Sequence, residues 1–347
     1  MPFTTAQFTS GATYALQTFD KKDPIDQINL THRALDWLVK NKKPSTFGNG
    51  AYREPLYYTN NSNYQQYFGA DQVTYNERDP AMWTNYAWYN VHDGFWFDED
   101  TLQAAGITIT EDSSAVPTAS EKEVLIDRLA IAFRTTKNSL QDGMALDLYR
   151  DGTQSTKACP GFESVIDWTP AVGSSGGIDG GTYTWWRNNA NIGTTAANVI
   201  ADMETMWKNC MRYGGKMPTA LFCGLAFQDN FRTYANVMVN RRLDDGGNAK
   251  GGVTIDPATN DLFFHGVPLV WDPTLEQLDT LLSTTTRTKT CYFANDDSLS
   301  LRPVKGNWMV DRKPERLPDR YVYYWARTAK FSLTSNQRNA LGVIQLS

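Results

Sequence analysis

Apolar positions along the chain fall into helical, extended and unpatterned stretches, and each predicts a different element. Helical spacing is clearest at 120–149. There Leu125, Leu129, Phe133, Leu140 and Met144 form one stripe, widened by Leu146 and Leu148 near its end. Ser120 with Glu123 makes a capping box ahead of the stripe. At ~1.5 Å per residue the run spans roughly 45 Å, long for a globular helix. A second helix is predicted over 195–213, with Val199, Met203, Met206, Trp207 and Cys210 inward and Gly214-Gly215 as its stop. A third starts after Gly224 and carries Phe227, Phe231 and Tyr234. Near the N-terminus Asp23 can cap a helix, Pro24 suits its first position, and Ile28, Leu35 and Leu38 follow at helical spacing. It should end in Lys40-Asn41-Lys42-Lys43, where positive charge suits a helix C-terminus.

Residues 47–97 read as strands joined by turns at Asn60-Asn61 and Asp93-Gly94, a long two-stranded excursion. Shorter strands are predicted at 218–223, 253–255, 262–271, 290–293, 299–302, 320–328 and 341–345. Between 152 and 195 the chain turns to Gly-, Ser- and Thr-rich loops, and Gly173–Gly181 (GSSGGIDGG) reads as a flexible one. Residues 1–20 are polar, Thr-rich and aperiodic, an arm that orders only against a partner. There is no internal repeat. The class is α+β with an extended arm.

Composition sharpens this picture at one place. Fifteen of the 44 aromatic residues lie between Phe47 and Phe97, among abundant Asn, Gln and Thr. Tyr and Trp bury large area at low entropy cost and keep a polar handle, which suits a protein–protein interface. Tyr57, Tyr58, Trp83, Tyr86 and Trp88 are the candidate interface residues, and the alternative is a β-rich subdomain with its own small core. Hydrophobic residues at 41% and charged residues at 20% indicate a folded chain. The net charge of -5 and a pI of about 5.3 argue against a protein that grips nucleic acid through its phosphates. Cys159, Cys210, Cys223 and Cys291 lack CxxC spacing and read as buried free thiols of a reducing cytosol. No signal peptide or membrane span is predicted, so synthesis and residence in a cytoplasm are expected.

Candidate chemistry is sparse. His32, His92 and His265 have no metal-ligand spacing, and no GxSxG elbow or GxxxxGK[ST] loop occurs. The remaining enzyme signal is a pair of carboxylates beside tryptophans, Asp167 with Trp168 and Asp272 with Trp271, which could divide acid and base roles in a glycan hydrolase. Asp–Trp adjacency is common, and loops and strand ends explain it as well. No catalytic residue, cofactor or metal is assigned, and the chain is read as a non-enzyme.

Several stretches together resemble the HK97-fold major capsid proteins of tailed bacteriophages. The strand–Gly–Val–Pro element at 262–270 (LFFHGVPLV), an acidic loop at 271–276, and strands at 291–293 and 299–302 are similar to that family. So are the α–β–α order around 218–224 and the run 180–188 (GGTYTWWRN), which looks like a Gly…Tyr-x-Trp-Arg-Asn stretch of phage coat proteins. Each motif is weak alone, and their order carries the likeness. The resemblance implies an arm and short helix over 1–46, an extended loop over 47–97, a peripheral domain with the spine helix over 98–155, an axial domain over 156–303, and strands over 304–347 returning to the periphery. It implies self-assembly into hexamers and pentamers of an icosahedral virion shell, built in the host cytoplasm and enclosing DNA without sequence-specific binding. It also implies a portal protein and room for a decoration protein. Only about 46 residues precede the aromatic excursion, so a separate scaffolding protein is expected. The family's namesake cross-links its shell through a lysine of the extended loop. Here no lysine lies between Lys43 and Lys122, so no cross-link is expected. The competing readings are a tail or decoration protein and, further off, the glycan hydrolase.

Overall fold

The computed structural model describes residues 3–4, 30–46, 50–60, 62–104, 109–110, 119–213, 216–243, 253–255, 262–316 and 321–347. The expected arm, apart from the two-residue strand Phe3–Thr4, and the capping pair Asp23 and Pro24 lie outside the described residues.

The helices that position the rest are α1 (Arg33–Lys40), α2 (Glu99–Ala104), α3 (Ala119–Tyr149), α4 (Val199–Met211), α5 (Leu225–Leu243) and α6 (Pro273–Leu282). The strands of the two large sheets are β1 (Tyr89–Asp98), β2 (Asn189–Thr194), β3 (Ala220–Cys223), β4 (Val253–Ile255), β5 (Leu262–Phe264), β6 (Val267–Trp271), β7 (Thr290–Ala294), β8 (Leu299–Pro303), β9 (Val310–Arg316), β10 (Val322–Ser335) and β11 (Gly342–Leu346).

The larger sheet is mixed, in the order β2-β11-β7-β3-β6-β5-β4. Its centre is buried on both faces, which is why β3 and β7 read as continuous apolar runs. Alternation still decides which neighbour each residue meets. Leu221, Cys223, Cys291, Phe293 and Ile344 pack under α4 and α5, with Val199, Met203, Met206, Phe227 and Phe231. Phe222, Tyr292 and Val343 face the other way, onto the end of α3, α1 and α6. All four cysteines are buried free thiols, as expected. Burial pushes the Cys159 and Cys210 thiols up to about 12.

The smaller sheet is organised by β10. One edge pairs with β1 over the whole length of β1, and the other pairs with β9 and then β8, end to end. The long helix α3 lies on this sheet's inner face. Phe133 meets Trp325 at 4.5 Å and Phe95 at 5.2 Å between ring centroids. Leu125, Leu129, Phe133, Leu140 and Met144 are all buried. Covering each removes roughly 1.5–3 kcal/mol of exposure penalty.

Several expectations change. Helix α1 begins at Arg33, after residues 30–32, which are not helical. The cap comes from across the fold: the Ala34 N–H donates to Asp272 Oδ2 at 2.9 Å. Helix α3 starts at Ala119, which puts Ser120 inside it. Asp93-Gly94 is no turn but the middle of β1, opposite Arg327 and Ala326, so His92 sits in a strand as well. A Cβ on Gly94 would stand 2.4 Å from the Trp325 carbonyl, so glycine there serves strand approach. The acidic loop at 271–276 is instead the start of α6, with Asp272 as N-cap and Pro273 at the first position. The glycine-rich 173–181 stretch is a tight hairpin, Ser174–Ser175 against Ile178–Asp179, turning on Gly176 and Gly177 at φ +60° and +77°. Strands β2 and β9 and helix α2 carried no recognised signal. The predicted strand at 262–271 is a hairpin, β5–β6, turning through His265 and Gly266 at positive φ.

Candidate assembly surfaces

The aromatic excursion leaves the small sheet at β1 and is a two-stranded ribbon at its base. Ala51–Tyr52 pairs with Tyr86–Ala87, and Pro55–Tyr57 pairs with Ala81–Trp83. A small core of Leu56, Ile178 and Trp186 anchors the base to the glycine hairpin, with the Trp186 indole donating to the Ser175 carbonyl at 2.9 Å. Beyond it the ribbon opens into a loop without regular structure. Its rings point into solvent: Tyr64 is 83% exposed, Tyr67 69%, Phe68 90% and Tyr75 89%. Aromatics this bare, contiguous along one loop, mark a surface built to be covered.

The candidate interface residues divide. Tyr57 and Trp83 are strongly exposed, Tyr58 is exposed and stacked on Trp185 at 5.5 Å, and Trp88 is half-buried. Tyr86 belongs to the chain's own interior. Its hydroxyl donates to the Ser335 carbonyl at 3.0 Å and accepts from the Ser335 N–H at 3.2 Å. Burial pushes its phenol up to about 12.

A second exposed set lies at the far end of the small sheet. Trp96 and Tyr324 are cross-strand partners on its outer face, 60% and 39% exposed, with Tyr321 beside them at 67%. They adjoin Asp98-Glu99-Asp100, where β1 passes into α2. At the opposite end of β10 is a cavity of about 920 Å³. Its walls are the base of the excursion, the 184–189 segment, the end of α4 and the 336–339 turn.

The carboxylates weighed as hydrolytic are structural. Asp272 is fully buried, and four donors converge on it. Thr274 N–H and Thr274 Oγ1 donate to Oδ1 at 3.0 and 2.6 Å, and Ala34 N–H and the Tyr149 hydroxyl donate to Oδ2, both at 2.9 Å. One carboxylate thus serves the N-termini of α1 and α6 together. Burial and the Asp272 charge hold the Tyr149 phenol well above its ordinary value. His32 extends the network, with Nδ1 2.8 Å from Thr274 Oγ1 and Nε2 2.6 Å from Asp142 Oδ1. Asp167 closes a local turn, accepting from Thr169 N–H at 2.8 Å. His265 stacks on Trp207 and pairs with Glu204 at 2.8 Å. The Asp-Pro of a capped helix was the one sequence sign of the Asp272 role. Its partners at 32, 34, 142 and 149 meet only in three dimensions. Among the described residues no cluster of His, Cys, Asp and Glu could hold a metal ion, and no helix is long and apolar enough to cross a membrane.

No protein-family model and no curated protein sequence matches the chain. Solved structures do. The chain is similar over 93% of its length to a chain of the cyanophage A-1(L) capsid asymmetric unit, covering 94% of that chain at a TM-score of 0.58 and 11% identity. It is similar to the capsid chain of a native GTA particle over 94% of its length and 96% of that chain, at a TM-score of 0.51 and 8% identity. The capsid of the Myoviridae phage XM1 matches at 0.51 and 10% identity, over 94% of this chain and 95% of that one. The fold is therefore the HK97-like fold of phage capsid subunits, the α+β architecture expected from the order of the motifs.

Proposed function

We propose that the chain is the major capsid protein of a bacteriophage, a structural subunit that assembles with copies of itself into the shell around the genome. The observation that carries this is the similarity to capsid subunits over 93–94% of the chain, and not to one shared domain. The bare aromatics of the excursion support it, because a protein working as a monomer gains nothing from leaving four such rings in water. On this reading 1–46 is the arm with its short helix, 47–97 the extended loop, 98–155 the peripheral domain with the spine helix, 156–303 the axial domain, and 304–347 the returning strands. Hexamers and pentamers would form with a separate scaffolding protein in the host cytoplasm, a portal protein would occupy one vertex, and the DNA would be contained, not read. The engaged state of Asp272 and Asp167 speaks against the hydrolase alternative.

The test is expression of the full chain with its scaffolding protein, followed by sedimentation and electron microscopy. Closed shells or capsomer rings burying more than ~2,000 Å² per subunit are expected. A compact monomer at all concentrations, with the scaffold present, refutes the proposal, and rings that never close into shells favour a tail or decoration protein.

A further inference from the structure

The 920 Å³ cavity carries a charge opposite to that of the whole chain. Arg187, Arg212, Lys216 and Arg338 line it, and its one carboxylate, Glu54, is 3.6 Å from Arg302. Arg212 and Lys216 have no ion-pair partner among the described residues. Arg338 is 3% exposed and is held by carbonyls and an amide, with Val165 O at 2.7 Å, so burial lowers its pKa.

These features choose among occupants. Tyr58 and Trp185 already stack on each other, so no open slot between rings awaits a nucleobase. A peptide bearing carboxylates satisfies the cations.

The chain itself presents such a segment. Asp98-Glu99-Asp100 is the only run of three acidic residues in the sequence, and it lies beside exposed Trp96 and Tyr321. It cannot reach its own cavity. The acidic run pairs at the Val322 end of β10 and the cavity opens just past the Ser335 end, about 40 Å away at ~3.3 Å per strand residue. Two complementary patches at opposite ends of one rigid strand make a head-to-tail contact, which closes into rings when the rotation allows.

The geometry points to a subunit–subunit contact in which the 96–100 corner of one copy seats in the Arg212–Lys216 cavity of the next. This rests on the shell reading above and names a contact within it. The test treats particles of the full chain with a carbodiimide, which condenses a carboxylate with an adjacent amine to an amide, the water going to the reagent. A linkage from Lys216 to Asp98, Glu99 or Asp100 is expected, and the 40 Å separation makes it intermolecular. Cross-links elsewhere with none at Lys216 overturn the contact. In a second arm, Arg212→Glu with Lys216→Glu lowers shell yield at least about tenfold, as like charges face each other. Adding Asp98→Lys, Glu99→Lys and Asp100→Lys to that chain restores the yield. Both cavity residues keep solvent access, so the unassembled double variant melts like the parent. Normal shells from the double variant sink the contact and leave the shell reading standing, whereas a parent chain that forms no particles sinks both.

Discussion

Replacing Asp272 tests whether one buried carboxylate ties the N-terminal segment, the spine helix and the large sheet's flank into one body. Asp272→Ala leaves four donors facing a void: two helix-capping N–H groups, the Thr274 hydroxyl and the Tyr149 hydroxyl. Losing an N-cap costs roughly 0.5–2 kcal/mol, and two helices lose theirs at once. Leaving the buried Tyr149 hydroxyl without its charged acceptor costs roughly 1–3 kcal/mol more. The sum is about 2–7 kcal/mol, at the upper end of single-residue effects. Asp272→Asn separates charge from shape. Its amide oxygen can still accept from Thr274, but its NH₂ then points at the Ala34 N–H, donor against donor. About 2–4 kcal/mol is expected despite the near-identical size. The assay is urea unfolding of the unassembled chain followed by tryptophan fluorescence. Asp167→Asn is the internal control, because its amide oxygen still accepts the local turn bond from Thr169, and it should cost about 1 kcal/mol or less. If Asp272→Asn unfolds within about 1 kcal/mol of the parent, the double-cap argument is wrong.

Three further outcomes are expected. Leu129→Asp places an unpaired charge on the buried stripe of α3 against the small sheet, costs several kcal/mol, and yields insoluble or unassembled protein; normal shells from this variant would falsify the assignment of that face. Boiled mature particles run on a denaturing gel as one band near 39.1 kDa, since the excursion offers Arg53 and Arg78 but no lysine nucleophile; a ladder that survives reducing agent contradicts this. In a thiol-titration assay at pH 8 none of the four cysteines reacts until denaturant is added, because burial raises the pKa of every one of them; prompt labelling of any thiol shows that its site opens in the native state.

Local pattern determined much of this molecule. The 3.6-residue stripe of α3, the inward residues of α4 and the apolar runs of β3 and β7 were legible because each encodes its environment in residues a few positions apart. The missing lysines and the crowding of aromatics at 47–97 were legible for the same reason, being matters of composition. Tertiary structure decided what depends on partners distant in sequence. Asp93-Gly94 has turn-forming residues yet lies within a strand, because β10 supplies a full-length partner more than 200 residues later. Tyr86 and Tyr57 look alike in the sequence, but the register of the excursion's base points one at Ser335 and the other at solvent. The Asp272 network gathers residues 32, 34, 142, 149 and 274, and the basic cavity gathers four separate segments. Neither leaves a periodic trace, because side chains that converge in space need share no spacing along the chain.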